Sequence, residues 1–393
     1  MVGYTDAVAP SPAPSPIATG RDFRPRLDSL TGLRFFAAFF VLQHHFTNFG
    51  LIPGLDRYTG FGTTGVTFFF VLSGFVLTWS FVPSDTAPRF YWRRFARIWP
   101  LHAVTTLLAI PVFYIWRHEP ANVGGILLSF ALLHAWVPAP SVYFAGNPAS
   151  WSLSCEAFFY AVHPFIVRHV LKWRSMALFG AVGATLVVLY VVADLAIDWP
   201  ARIAGWLLYV GPIYRIGEFL IGIGLAIALK RGFRSPIGVI PATFLLGAWF
   251  ILYYNVGPHL SVSLQITLGV LRYASLPALY ALIIAAAAQL DLEGAPSLLR
   301  SRVMIVLGQW SYALYLVQAI IIYAFIESLG TRPTSFMNVP WLVFMSAVCI
   351  AASGLLYHTV EHPLEGWLRG VQRARIAPAT AAAPQPVVDA TKV

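Results

Sequence analysis

Between residues 33 and 358 this chain is a succession of apolar stretches, most of them about as long as a bilayer is thick, joined by short polar turns. A helical crossing of the hydrocarbon needs about 20 such residues. The pattern places crossings near 33–52, 61–82, 98–116, 151–167, 175–193, 205–229, 237–255, 264–289, 303–325 and 340–358. Of the 393 residues, 58% are hydrophobic and 11% charged, more apolar surface than a soluble domain hides. The expected fold class is therefore all-α, a polytopic transmembrane helical bundle. One further stretch, 123–137 ("VGGILLSFALLHAWV"), is apolar but short.

Positive charge decides how that stretch is treated, because cytoplasmic loops carry the excess of Lys and Arg. If 123–137 does not cross, 19 of the 26 Lys and Arg fall in cytoplasmic segments, and the outer segments hold only Arg57, Arg117, Arg202 and Arg332. A full crossing would invert everything after it and destroy that asymmetry. The expectation is ten spans with the N and C termini cytoplasmic, and 123–137 re-entrant or interfacial. Residues 1–26 and 376–393 are Pro- and Ala-rich tails expected to be disordered, flanking one membrane domain at 27–375. The first tail lacks the basic and apolar regions of a signal peptide. Most of the net charge of +10 is topological, with anionic membrane lipid as its partner, and no soluble basic face exists for nucleic acid. Cys155 and Cys349 sit in apolar surroundings and imply no disulfide framework. No cation adjoins Cys155 in sequence to make it a thiolate nucleophile.

Charged groups at membrane depth face a bundle interior or a wet cavity, so each is a functional candidate. Arg34 and His45 are eleven residues apart in "LRFFAAFFVLQHHF", which at about 100° per residue puts both on one helical face. The rise separates them by roughly 16 Å, Arg34 near the cytoplasmic mouth and His45 deep. His44 points elsewhere and reads as structural. In "FYWRRFARIWPLH", Arg93, Arg94 and Arg97 precede Pro100, which is suited to open the next helix, and Arg94 and Arg97 share a face. Arginine binds phosphates through fork-like, charge-assisted hydrogen bonds, so this cluster fits an anionic cytoplasmic ligand. In "ASWSLSCEAFFYAVHPF", Ser150 or Ser152 is placed to cap a span that carries Ser154 and Glu156. "YRIGEF" sets Arg215 and Glu218 three apart, a pair expected to line a cavity. Ser311, Tyr312, Tyr315 and Glu361 complete the polar set, and no metal-ligand spacing is present.

Together and in this order, these stretches resemble the acyltransferase 3 family of integral-membrane O-acyltransferases. The family's Arg, ten residues and His are matched by Arg34 and His45. Its "RRxxRIxP" is matched at Arg93, Arg94, Arg97, Ile98 and Pro100, and its "WSLSxExxFYxxxP" at Trp151, Ser152, Leu153, Ser154, Glu156, Phe159, Tyr160 and Pro164. A late "SYxxYLxH" is matched at Ser311, Tyr312, Tyr315 and Leu316, and a closing "ExP" at Glu361 and Pro363. The likeness runs from about residue 27 to 369, and the expected resemblance is to the stand-alone members, without the hydrolase-like domain that some others carry. Two departures stand out: "LDSLTGLRFF" displaces Arg34 from the usual "LDxLRG", and Gln318 occupies the place of the late His.

The resemblance implies transfer of an acyl group, commonly acetyl, from cytoplasmic acyl-CoA to a hydroxyl, with no permanently bound cofactor. The acceptors it implies are surface polysaccharides, glycolipids and glycosylated small molecules such as macrolides, modified at the cell membrane. Arg34, Arg93, Arg94 and Arg97 are then the donor-binding set. An imidazole titrates near working pH, which makes His45 the natural general base, with Glu156 as the group to orient it or to steady its charged form. The competing class is a transporter or flippase for a glycan or lipid-linked intermediate. Such proteins often show internal repeats with paired broken helices, and no convincing repeat relates the two halves here.

Overall fold

In a computed structural model, residues 25–376 are described, and the two tails lie almost wholly outside them. Among the described residues there are helices and no strand, the only β feature being a single bridge between Gly50 and Arg332. The chain is an all-α bundle, as its apolar pattern requires. The elements are α1 (Asp28–Phe46), α2 (Gly65–Trp79), α3 (Ala87–Ile110), α4 (Val123–Phe130), α5 (Pro140–Tyr143), α6 (Trp151–Val170) and α7 (Ser175–Leu195). They continue with α8 (Ala201–Gly205), α9 (Pro212–Lys230), α10 (Val239–Ile251), α11 (Val262–Leu292), α12 (Arg302–Leu329), α13 (Asn338–Leu356) and α14 (His362–Ile376).

Eight helical segments among the described residues are long and apolar enough to cross a membrane. Helices α1 and α6, of 19 and 20 residues, are nearly as long but carry charged and imidazole side chains that lower their hydropathy. Helices α7 and α10 stand at the periphery and turn Met176, Val187, Ile240 and Phe244 outward, an apolar exterior suited to lipid and not to water. The protein is an integral, multi-pass membrane protein.

Several boundaries differ from the sequence expectation. Helix α1 starts at Asp28, because Asp291 at the end of α11 accepts hydrogen bonds from the Ser29 backbone N–H (2.8 Å) and hydroxyl (2.7 Å). A carboxylate at a helix N-terminus satisfies orphan donors and complements the dipole, so polar residues that read as a loop become the first turn. The arginine cluster is likewise not a loop ahead of a helix. Helix α3 opens at Ala87 with Pro88 in its first turn and runs through Pro100, so all three arginines sit on helix. Ser150 occupies the position before α6, but its hydroxyl donates to the Asn147 carbonyl (2.7 Å) and caps nothing.

The 123–137 stretch forms α4 and a short turn at His134–Trp136. Eight residues reach roughly 12 Å, well short of a hydrocarbon core of about 30 Å. Its freed carbonyls are met from neighbouring helices: Trp99 donates to Phe130 O (3.1 Å), His102 to Ser129 O (2.9 Å) and Ser154 to Leu132 O (2.7 Å). Irregular backbone at membrane depth survives only when so satisfied.

Elsewhere the bundle is drawn tight by small residues. A Cβ on Gly74 of α2 would collide with the Phe219 carbonyl of α9, and one on Gly222 with the Val71 carbonyl. That crossing brings Thr67 and Phe70 beside Arg215 and Glu218. Among the described residues, four helical segments also contain a π turn: Pro111–Trp116, Trp206–Val210, Leu252–Val256 and Tyr357–Glu361.

Candidate active site

The polar residues of α1, α3, α6 and α12 converge on two adjoining chambers. The arginine chamber is lined by Arg34, Arg94, Arg97, Glu156, Tyr160, Ser311 and Tyr312, closed laterally by Phe69 and Phe70. Arg34, Leu72 and Val76 also line a hollow that includes Arg26, Leu27 and Trp79, so the chamber is contiguous with the mouth between the start of α1 and the end of α2. The histidine chamber is roomier, with a volume of about 550 Å³, and is lined by His44, His45, Asn48, Phe113, Arg117 and Tyr323 among others. Val66 and Tyr315 line both. Arg34 and His45 are thus on one face of α1, as their spacing requires, each in a different chamber.

The arginines are not equivalent. Arg97 is held by Glu361 (2.5 Å) and Glu365 (3.0 Å), with its guanidinium over the Tyr312 ring. Glu361 is itself buried on the π turn that joins α13 to α14, and Arg369 pairs with Glu365. Arg93 pairs with Asp85 and does not line the chamber. Arg94 and Arg34 make no ion pair with a carboxylate among the described residues, and Arg94 Nε has no hydrogen-bond partner. Glu156 accepts from the Tyr160 hydroxyl (2.7 Å). Two guanidiniums without carboxylate partners at a half-enclosed mouth form a site for an anion.

In the histidine chamber, His45 Nδ1 lies 2.9 Å from Gln318 Oε1. The amide is oriented by its own nitrogen, which donates to the Tyr315 carbonyl (3.4 Å). With Oε1 accepting, Nδ1 carries the proton and Nε2 keeps its lone pair. The side chain hydrogen-bonded to His45 is thus Gln318 and not Glu156, whose hydrogen bond goes to Tyr160 in the other chamber. His44 Nδ1 instead donates to the Thr59 carbonyl (3.1 Å), tying α1 to the turn before α2.

The serine- and tyrosine-rich motifs supply the wall between the chambers. Tyr315 OH donates to Ala149 O (2.9 Å) and shares a hydrogen bond with Ser152 (2.8 Å). Tyr312 OH donates to Ile98 O (2.7 Å), and Ser311 to Gly308 O (2.7 Å), pinning α12 to α3 and to itself. Arg215 and Glu218 do pair, at 2.7 Å and almost fully buried, but beside a third cavity. Cys155 is buried and donates to Val210 O, and both cysteines are free.

Sequence reasoning passed over Asn147, which donates to Leu316 O (2.8 Å), and His134, which meets Ser150 (3.2 Å). Asn147 stands just before the "WSLS" motif, where an Asn-Pro step was the available signal, and His134 lies in the short turn that follows α4.

Comparison with known proteins sets these chambers in context. The acyltransferase domain family profile matches residues 27–358. Acyltransferase MdmB of Streptomyces mycarofaciens is 34% identical over 93% of this chain and 96% of its own length. The peptidoglycan O-acetyltransferase OatA of Listeria monocytogenes is 29% identical over 56% of this chain, which spans 36% of that larger protein. Nodulation protein 10 of Rhizobium leguminosarum bv. viciae is 29% identical over 32% of this chain and 38% of its own. No solved structure matches the chain.

Proposed function

The chain belongs to the acyltransferase domain family and is a membrane O-acyltransferase, and from that premise we propose that it moves an acyl group, acetyl first, from cytoplasmic acyl-CoA to a hydroxyl on a sugar-containing acceptor. The observation that carries this reading is the junction at Tyr315 and Val66, where a chamber with two arginines free of carboxylate partners meets a chamber holding an oriented imidazole. Family membership also decides against the transporter alternative.

In this reading ten helices cross, with both termini and the mouth beside Arg34 at the cytoplasmic face of the cell membrane. The eight crossing segments together with α1 and α6 make that number. Acyl-CoA brings several negative charges. Arg34 and Arg94 neutralise its phosphates, while Arg97, fixed by its two glutamates, adds to the field and ties α3 to the closing helix. Arg93 contributes charge near the mouth without direct contact. The thioester end then reaches the wall between the chambers.

The acceptor enters the histidine chamber. Its hydroxyl proton passes to His45 Nε2 as its oxygen bonds to the acyl carbon. The carbon–sulfur bond breaks, CoA leaves as thiolate, and the proton on His45 returns to that sulfur. Gln318 holds the productive tautomer throughout. Glu156 stays among the arginines, where it balances their charge when the donor is absent. A relative whose name assigns it to peptidoglycan O-acetylation supports a glycan acceptor.

Mass spectrometry of surface glycans and secreted glycosylated metabolites, from cells with and without this protein, tests the reading. The expected result is one or more species heavier by an acyl mass only when the protein is present. Identical spectra across both fractions would remove the sugar-containing acceptor from the account.

A further inference from the structure

A third cavity, of about 190 Å³, adjoins the histidine chamber, with Thr63 and Tyr209 lining both. Its walls come from α2 and the turn before it, the π turn Trp206–Val210, α9, α10 with its π turn, and α11, and they are unlike a packed core. Phe61, Trp249, Tyr253, Tyr254 and Tyr273 present rings to it. Tyr254 meets Phe61 and Tyr253 edge-on, at 4.8 Å and 4.9 Å between ring centres, which holds the cluster as angled plates. The π turn Leu252–Val256 delivers two of these tyrosines side by side, and such turns concentrate at functional sites.

The polar groups of the cavity are of both signs. Arg272 donates to the hydroxyls of Tyr253 (3.2 Å) and Tyr273 (2.9 Å), lies 4.8 Å over the Tyr273 ring, and has no carboxylate partner among the described residues. Across from it stand Arg215 and Glu218, 4% and 3% exposed. Glu218 Oε1 takes Arg215 (2.7 Å) and Thr67 (3.1 Å), while Glu218 Oε2 and Arg215 Nε have no hydrogen-bond partner. Buried polar atoms are nearly always satisfied, so an unpartnered carboxylate oxygen beside a cavity marks a place for a donor.

A ligand for this cavity must offer apolar faces to the rings, a donor to Glu218 and an acceptor to Arg272. A lipid tail supplies only the first, and a phosphate supplies the acceptor for Arg272 but no apolar face for the rings. A pyranose supplies all three: its C–H faces stack on aromatic rings, and every hydroxyl both donates and accepts. We infer that the aromatic chamber is the acceptor subsite, binding one pyranose ring between Trp249 and the tyrosine cluster with its hydroxyl rim toward Arg272 and Glu218. The inference rests on the reading of the protein as an O-acyltransferase of sugar-bearing acceptors, and adds where the sugar sits. From there the ring, or the residue attached to it, presents a hydroxyl to His45 past Thr63 and Tyr209.

The test is equilibrium binding of tritiated methyl α-D-glucopyranoside to the purified full chain in lipid nanodiscs, with cyclohexanol as a competitor that lacks the hydroxyl rim. Saturable binding is expected, resistant to cyclohexanol, weakened roughly 10-fold in Trp249→Ala and largely kept in Trp249→Phe. Arg272→Lys, which retains the charge but loses the fork, weakens it too, while acetyl-CoA affinity is the same in all variants. Absence of saturable sugar binding to the parent, or equal binding by Trp249→Ala and Arg272→Lys with donor affinity intact, overturns the subsite. Failure of the wider reading looks different: the pyranoside still binds and responds to Trp249, but no acylated product forms in cells.

Discussion

His45→Ala is expected to lower acyl transfer by roughly 100- to 10,000-fold, the range that removal of a general base commands, while His44→Ala keeps most of the activity. The two imidazoles are adjacent and line the same chamber, so their chemistry alone does not separate them. Their hydrogen bonds do. His45 gives its Nδ1 proton to Gln318 and keeps the Nε2 lone pair free, whereas His44 spends its Nδ1 proton on the Thr59 carbonyl and serves the turn before α2. Initial rates at saturating donor, compared at equal folded protein by size-exclusion profile, measure the difference. A comparable loss in both variants would mean that α1 presents the pair to the substrate as a unit, and the assignment of the base to one face would fall.

Arg94→Lys has the second large expected effect, and it falls on the donor. The substitution keeps the net charge and the topology signal, and removes only the planar fork that matches phosphate oxygens. A charge-assisted hydrogen bond is worth about 1.5 to 3 kcal/mol, or roughly 10- to 150-fold in donor affinity. The apparent Michaelis constant for acyl-CoA should rise by that factor, with the acceptor constant little changed. Arg93→Lys is the internal comparison, because Arg93 is held by Asp85 outside the chamber. Titration of radiolabelled acyl-CoA at saturating acceptor distinguishes them. If both variants bind donor like the parent, the basic stretch of α3 is a topology determinant, and the phosphate site must be rebuilt around Arg34 without it.

Much of the arginine chamber was legible because it is built from regular helix. Arg34 and His45 obey the helical period, and Arg94 and Arg97 share a face for the same reason. What sequence could not show is pairing across the bundle. Glu361 binds Arg97 over a separation of 264 residues, and Gln318 finds His45 over 273. Gln318, which stands where the late motif usually has His, is an amide hydrogen-bonded to His45, a contact no sequence spacing could show. The π turns explain another part of the gap. Each inserts an extra residue into the helical count, so side chains after it leave the face that a 100° period assigns them. Glu361, Tyr209 and the Tyr253–Tyr254 pair all sit on such turns, so the helical period does not assign the two tyrosines to the aromatic chamber. The first turn of α1 was missed differently: its polar residues were counted as loop because the carboxylate that satisfies them, Asp291, is 262 residues away.

The central claim is that the donor enters from the side where Arg34 opens and the acyl group meets the acceptor beyond Tyr315. Reconstitution of the purified protein into vesicles, sorted by whether an N-terminal tag faces out or in, tests it most directly. Membrane-impermeant radiolabelled acetyl-CoA is supplied outside, and labelled product is measured with the host's sugar-containing acceptor fraction enclosed. Label should appear on the enclosed acceptor in vesicles whose N terminus faces out, and be lost on His45→Ala. Transfer only in the opposite orientation, or label that accumulates equally in both, would contradict the account.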